Sequence, residues 1–205
     1  MSDERKGLAV LGSTGALGPR ALEVLRKHSD VYKIEVLTAQ SNTELLIAQA
    51  LEFKPNVVVI EDASLRSEVD ELLWKEDIKT YCGKEAMFQV TEMNEVQVVL
   101  NAIVGMDGVK PSEMAISAGK SLLLGNSNTL QDKGKELSKL AFEKGVNLFP
   151  VDKFHSSIFQ ALLGDFENTI RKLDLCLPHD YILKEDYWKG KIKEIEFLFG
   201  IKKEK

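Results

Sequence analysis

Short runs of branched apolar residues alternate along this chain with longer stretches whose apolar positions recur every three or four residues. That is the pattern of strands joined by helical crossovers. The first strand is expected over Leu8 to Gly12, followed by a helix over Gly15 to Lys27 that turns Leu17, Ala21, Leu22, Val24 and Leu25 inward. Ile34 to Ala39 reads as the next strand, and Asn42 as the N-cap of a helix carrying Leu45, Leu46, Ala48, Gln49 and Phe53. After Pro55-Asn56, the run Val57-Val58-Val59-Ile60 has no polar alternation, as befits a parallel strand covered on both faces. The same rhythm predicts a helix over Ser64 to Trp74, a strand over Lys79 to Cys82 and a helix over Lys84 to Thr91. A strong strand over Val96 to Val104 and a helix through Met114 to Gly119 come next. A strand over Ser121 to Leu124, a helix over Thr129 to Lys144 and a strand over Val146 to Val151 close the series. Each crossover is long enough for a parallel connection, so the expected fold is α/β, a Rossmann-like, doubly wound, mostly parallel sheet.

Beyond Asp152 the rhythm fails. Ser156 to Leu163 reads as helical, Leu173 to Leu177 as a strand, Pro178 to Lys189 as irregular, and Lys191 to Phe199 fits either a helix or a strand. Residues 1–152 are therefore expected to form the main domain, and 153–205 an appendage too small for a core of its own.

Composition adds exclusions. Of 205 residues, 44% are apolar and 29% charged, a globular balance, and the net charge of −5 opposes a phosphate-neutralising nucleic-acid surface. The C-terminal lysines are interspersed with Glu194, Glu196 and Glu204, which reads as a solvated face. The two cysteines, Cys82 and Cys176, lack metal-ligand spacing and fit buried thiols in a reducing compartment. No apolar run approaches bilayer length, and the N-terminal residues lack a signal core, so no membrane partner and a cytoplasmic location are expected.

The strand Leu8-Ala9-Val10-Leu11 runs straight into Gly12-Ser13-Thr14-Gly15-Ala16-Leu17-Gly18, a GxxGxxG at the first strand-to-helix turn. There, Gly12 is expected to turn the chain tightly, Gly15 to admit a pyrophosphate close to the backbone, and Gly18 to let the helix lie near the strand. Free N–H groups at the helix start, with the Ser13 and Thr14 hydroxyls, are expected to aim donors at phosphates. The tip of the second strand, Ala39-Gln40-Ser41-Asn42, carries no carboxylate to hold a ribose 2′-hydroxyl, which favours NADP over NAD. Glu61 and Asp62 read as a solvated helix start, His28 and His179 as surface residues, and Trp74 and Trp188 as packing residues.

Six blocks carry a family resemblance. Gly12-Ser13-Thr14-Gly15, Leu37 to Asn42, Ala102-Ile103-Val104-Gly105, Ala118-Gly119-Lys120, Phe149 to Asp152 and His155 to Gln160 resemble, in order and spacing, 1-deoxy-D-xylulose 5-phosphate reductoisomerase. The resemblance implies an NADPH-binding domain from the isoprenoid pathway, in a family of homodimers that use a divalent metal, Mg or Mn, on a phosphorylated sugar. It places cofactor contacts on Gly12, Ser13, Thr14, Gly15, Ala16 and Leu17, on Ala39, Gln40, Ser41 and Asn42, and on Ala102, Val104 and Asn126. Asp152 is left as the metal ligand.

Departures from the family pattern change the expectation. Gly125-Asn126-Ser127-Asn128 replaces Ala-Asn-Lys-Glu, removing the lysine that helps hold substrate. Asp152-Lys153-Phe154-His155-Ser156 replaces Asp-Ser-Glu-His-Ser, so Phe154 stands where a carboxylate would bind metal and Lys153 adds a positive charge beside it. His155 fits either a proton shuttle or metal ligand, or a structural histidine at a strand end. The first expectation is an NADPH-binding, oxidoreductase-type relative, shortened and lacking full reductoisomerase activity, with His155 or Lys153 as proton donor in any metal-free reduction. The second is a non-catalytic nucleotide-binding or scaffold subunit acting with a partner protein; either a homo-oligomer or a hetero-partner fits.

Overall fold

In the computed structural model, residues 4–151, 156–157 and 160–161 are described. Seven strands form one sheet: β1 (Lys6–Leu11), β2 (Tyr32–Ala39), β3 (Val57–Ile60), β4 (Lys79–Cys82), β5 (Val98–Asn101), β6 (Ser121–Leu124) and β7 (Leu148–Pro150). The helices between them are α1 (Gly18–Lys27), α2 (Thr43–Phe53), α3 (Arg66–Leu73), α4 (Lys84–Gln89), α5 (Val109–Ser117) and α6 (Ser127–Lys144). Every pairing is parallel, in the order β4-β3-β2-β1-β5-β6-β7. The fold is therefore the expected Rossmann-like α/β sheet. The chain leaves β1 to build one side of the sheet and returns to its other side at β5. That reversal opens a crevice beyond the strand ends between β1 and β5, the usual ligand position in such sheets.

Alternation along β1 divides the core. Leu8 and Val10 join Leu22 of α1, Leu46 and Ala50 of α2 and Val69 and Leu73 of α3 on one face. Ala9 and Leu11 join Phe88 of α4, Ala115 and Ile116 of α5 and Leu130 and Leu137 of α6 on the other. Helices on both faces explain why all four residues of β3 are buried. The β1–β2 register shifts between Leu8 and Ala9. Near this irregularity the nearly buried Glu35 carboxylate takes an ion pair from Lys33 at 2.8 Å and a hydrogen bond from Asn56 Nδ2.

Several boundaries differ from expectation. Helix α1 starts at Gly18, with Pro19 in its first turn, so the glycine segment as far as Leu17 lies outside the helix. Val24 is 57% exposed and Trp74 64% exposed, so neither is the packing residue its hydrophobicity suggests. Strand β5 ends at Asn101, short of Val104. There the Asn101 side-chain oxygen accepts the Ile103 N–H at 3.1 Å and carries the chain out of the ladder. Asp62 caps a single 3₁₀ turn, Ala63–Leu65, before α3. Residues 156–157 and 160–161 are helical, in line with the expected Ser156–Leu163 helix where they are described. No helix among the described residues is long and apolar enough to cross a membrane.

Candidate functional site

The turn leaving β1 is held from behind. Gly12 has φ +74°, a conformation that favours glycine, and a Cβ there would press on the Ala102 carbonyl group at 3.2 Å, so the turn lies tight against the end of β5. The Gly12 N–H donates to Thr38 Oγ1 at 3.0 Å and the Ser13 N–H donates to the Thr38 carbonyl at 2.8 Å, which ties the loop to β2. Gly15 closes the turn by donating its N–H to the Gly12 carbonyl at 3.0 Å. A Cβ on Gly18 would overlap the Ser13 carbonyl, so the third glycine does bring α1 close against the turn.

Ser13 corrects one expectation. Its side chain is fully buried, and its hydroxyl donates inward to Gln49 Oε1 of α2 at 2.7 Å, so it is no donor for a phosphate. In return Gln49 Nε2 donates to the Ser13 carbonyl at 3.0 Å. Beyond Ser13 the loop changes character. The N–H groups of Thr14, Ala16 and Leu17 and the Thr14 hydroxyl take no partner among the described residues, while Gly15 and Ala16 are exposed. Unpartnered, accessible donors beside a helix start suit an anion. The side chain of Leu17 turns inward and lies over Gly125 at the end of β6.

On the β2 side, Ala39 is buried and Gln40, Ser41 and Asn42 are exposed. The Asn42 side chain caps α2 by accepting the Leu45 N–H at 3.1 Å, as expected. The Glu61 and Asp62 N–H groups donate to the Ala39 and Gln40 carbonyls, which brings two carboxylates beside a strand tip that has none of its own. Asp62 is turned to Ser64, whose hydroxyl at 2.6 Å, with its N–H at 3.0 Å, holds the carboxyl below the usual range.

On the β5 side, Ala102 is nearly buried and Val104 is 82% exposed. Asn126, expected at the cofactor, points both its donors inward, to the Ile103 carbonyl at 2.7 Å and to the Gly105 carbonyl. Its side-chain oxygen caps α6 by accepting the Asn128 and Thr129 N–H groups. With no donor left over, Asn126 is a clasp for the β5 turn and not a hydrogen-bond donor to a ligand. Asn101, which carried no expectation, is fully buried and donates to the Gly108 carbonyl at 2.7 Å and to Ser112 Oγ at 2.8 Å. At the rim, Lys84 at the start of α4 pairs with Asp107 at 2.6 Å, and that hydrogen bond holds the ammonium pKa above its usual range.

The loop itself follows from its glycine spacing; what sequence reasoning missed is the part played by Thr38, Gln49 and Asn101. The available signal was a polar residue at an inward position in an otherwise apolar run, which in a folded core implies a buried partner. Asp152, Lys153, Phe154 and His155 lie outside the described residues, as do Cys176, His179 and Trp188. Among the described residues no group of three or more His, Cys, Asp or Glu side chains is placed to hold a metal ion.

The family model of 1-deoxy-D-xylulose 5-phosphate reductoisomerase matches residues 8–134, which include most of β1, the loop, β2, β5 and the start of α6. The chain belongs to the 1-deoxy-D-xylulose 5-phosphate reductoisomerase family. A reductoisomerase of Bacteroides thetaiotaomicron is 42% identical over 173 residues, covering 84% of this chain and 44% of that protein. One of Bacteroides fragilis is 40% identical over 172 residues, with the same coverage, 84% and 44%. The reductoisomerase of Zymomonas mobilis in complex with NADPH has a similar structure, with TM-score 0.73 and 29% identity over 91% of this chain and 44% of that one. A reductoisomerase structure in complex with magnesium gives TM-score 0.72 and 30% identity, covering 80% of this chain and 42% of that one. The chain thus spans less than half the length of these reductoisomerases.

Proposed function

We propose that this chain binds NADPH across the crevice between β1 and β5 and does not carry out the reductoisomerase reaction of its family. The observation that carries the binding reading is the outer half of the glycine loop, where the Thr14, Ala16 and Leu17 N–H groups have no partner among the described residues beside the start of α1. A pyrophosphate suits that cradle, since Gly15 and Ala16 are exposed while Gly12 and Gly18, without a Cβ, let the end of β5 and the start of α1 close up behind the turn. Bound there, the cofactor would supply a hydride donor, and the chain's own residues would hold it in place. Thr14 to Leu17 take the pyrophosphate, the Ala39-Gln40-Ser41-Asn42 tip takes the ribose 2′-phosphate, and the exposed Val104 gives apolar surface on the β5 side. Asp62, engaged with Ser64, leaves the tip open to a phosphate in place of a 2′-hydroxyl.

The reading against reductoisomerase chemistry rests on residue identities. Asp152-Lys153-Phe154-His155 offers one carboxylate beside an ammonium, and the phenyl ring of Phe154 has no oxygen for a hard cation, so these residues do not fit a divalent metal site. Ser127 and Asn128 likewise offer no charge to a phosphorylated substrate. Any reduction by this chain would draw on Lys153 or His155 as proton donor, in the cytoplasm.

Titration with NADPH and with NADH, followed by nicotinamide fluorescence, tests the binding reading. Saturation by NADPH at lower concentration than NADH is expected. No saturable change at millimolar NADPH would overturn it, and tighter NADH binding would overturn the assignment of the β2 tip. Addition of 1-deoxy-D-xylulose 5-phosphate and magnesium to the NADPH complex is expected to leave the nicotinamide absorbance constant, whereas steady oxidation would show that the metal chemistry survives.

A further inference from the structure

We propose that Gln49, on α2 and outside the crevice, is the positioning residue that sets the shape of the glycine loop, acting through Ser13. The proposal rests on the reading of this loop as the NADPH phosphate site and gives that site its support.

The geometry begins with what Gly12 and Ser13 do with their polar groups. Gly12 donates its N–H to Thr38 Oγ1 and Ser13 donates its N–H to the Thr38 carbonyl, so both inner amides are held by β2. The two remaining polar groups of Ser13, its carbonyl and its hydroxyl, are both held by Gln49, which accepts from the hydroxyl at 2.7 Å and donates to the carbonyl at 3.0 Å. Ser13 and Thr38 are fully buried and Gln49 nearly so. A planar amide that meets one residue at two points fixes the orientation of that residue's peptide as well as its position. With Gly12 and Ser13 taken from behind, the Thr14, Ala16 and Leu17 amides have no part in this clasp and no partner among the described residues.

Burial makes the clasp stiff. Inside a low-dielectric core the Ser13 carbonyl and the Gln49 amide have no water to fall back on, so a loop conformation that breaks them leaves two polar groups unsatisfied. The loop is thereby held in one shape before any ligand arrives, and binding need not order it. Thr38 adds a second consequence. The same residue that holds the loop is followed by Ala39 and Gln40, whose carbonyls accept from Glu61 and Asp62. The pyrophosphate loop and the ribose-binding tip are therefore parts of one hydrogen-bonded unit, with Gln49 closing it from the helix side.

Gln49→Leu and Ser13→Ala in the full chain test this. NADPH affinity is read by fluorescence, and exchange of the Gly12 and Ser13 amides is read by hydrogen exchange in the absence of cofactor. Loss of the buried pair is expected to weaken NADPH binding roughly tenfold in each variant and to speed exchange at Gly12 and Ser13, while amides in β3 and β6 keep their protection. The double variant is expected to lose little beyond the worse single one, because Gln49 acts through Ser13. Affinity within twofold of the unaltered protein in both variants, additive losses, or unchanged exchange at Gly12 and Ser13 would each overturn the proposal. Should Gln49→Leu fail to fold, Ser13→Ala alone decides, since it removes one hydroxyl and leaves both backbones intact. If the unaltered chain does not bind NADPH, the cofactor reading falls, and the exchange rates still decide whether Gln49 shapes the loop.

Discussion

The turn after β1 and the turn after β5 lie side by side at the centre of the sheet and keep their shapes by different means. The β1 turn is fitted by omission, since Gly12 and Gly18 lack the atoms that would crowd Ala102 and overlap Ser13, and by a clasp from Thr38 and Gln49 on neighbouring elements. The β5 turn is held by amide side chains, Asn101 at its start and Asn126 across from it, whose donors take the carbonyls of Ile103, Gly105 and Gly108. The contrast follows from what each turn leaves for a ligand. A turn that presents bare N–H groups cannot use them on itself and must be gripped elsewhere. A turn that presents apolar Val104 and Met106 can direct its backbone polar groups inward.

The sharpest way to break the omission is Gly18→Ala. The new methyl group would meet the Ser13 backbone, which is itself held by Gln49 and Thr38, so there is no flexible side chain to move aside. A loss of about 3 kcal/mol in folding stability is expected from urea unfolding, with NADPH affinity falling as well. Gly125→Ala is the control, because there the obstacle is the far end of the Leu17 side chain, which can rotate. Equal losses in the two variants would mean that close approach of backbone is not what the β1 turn requires.

Breaking the amide clasp is expected to cost less. Asn126→Ala removes the cap of α6 and leaves the Ile103 and Gly105 carbonyls short of a donor, though Thr129 Oγ1 still donates to Gly105 at 3.3 Å. Stability is expected to drop by about 2 kcal/mol with NADPH affinity nearly unchanged, as measured by unfolding and titration. A large loss of affinity at preserved stability would place Asn126 at the cofactor after all.

How far each turn was legible in the sequence follows from the range of its contacts. The four branched residues of β3 announce a strand buried on both faces, and the glycines after β1 announce a tight strand-to-helix turn, because both signals are local. Strand order is not local, and nothing in the apolar rhythm says that β5 returns to the far side of β1. The apolar run through Ile103 and Val104 overstates β5, since hydrophobicity continues where the Asn101 side chain has already ended the ladder. Ser13 looks the same whether its hydroxyl faces a phosphate or a core. What decides is Gln49, 36 residues away. Family likeness carried the cofactor reading further than periodicity did, yet it assigned Asn126 to the ligand where the geometry assigns its donors to the β5 turn.

The smallest expected effect compares the two rims of the crevice. Asp62, beside the β2 tip, has its pKa lowered first by the Ser64 hydroxyl and then by the Ser64 N–H. A carboxyl depressed in the folded state stabilises above its unfolded value near 3.8, and that contribution is lost as pH falls through the folded value. Lys84, below the β5 turn, has its pKa raised first by the hydrogen bond to Asp107. An ammonium raised in the folded state stabilises below its unfolded value near 10.5, and that contribution is lost as pH rises through the folded value. Both groups are exposed, so solvent screening keeps each effect small. Urea midpoints measured against pH are expected to fall less steeply at the acid end for Asp62→Asn and less steeply at the alkaline end for Lys84→Met. An alkaline-limb change from Asp62→Asn, whose partner Ser64 does not titrate, would mean that the two rims are coupled through the crevice and are not separate contacts.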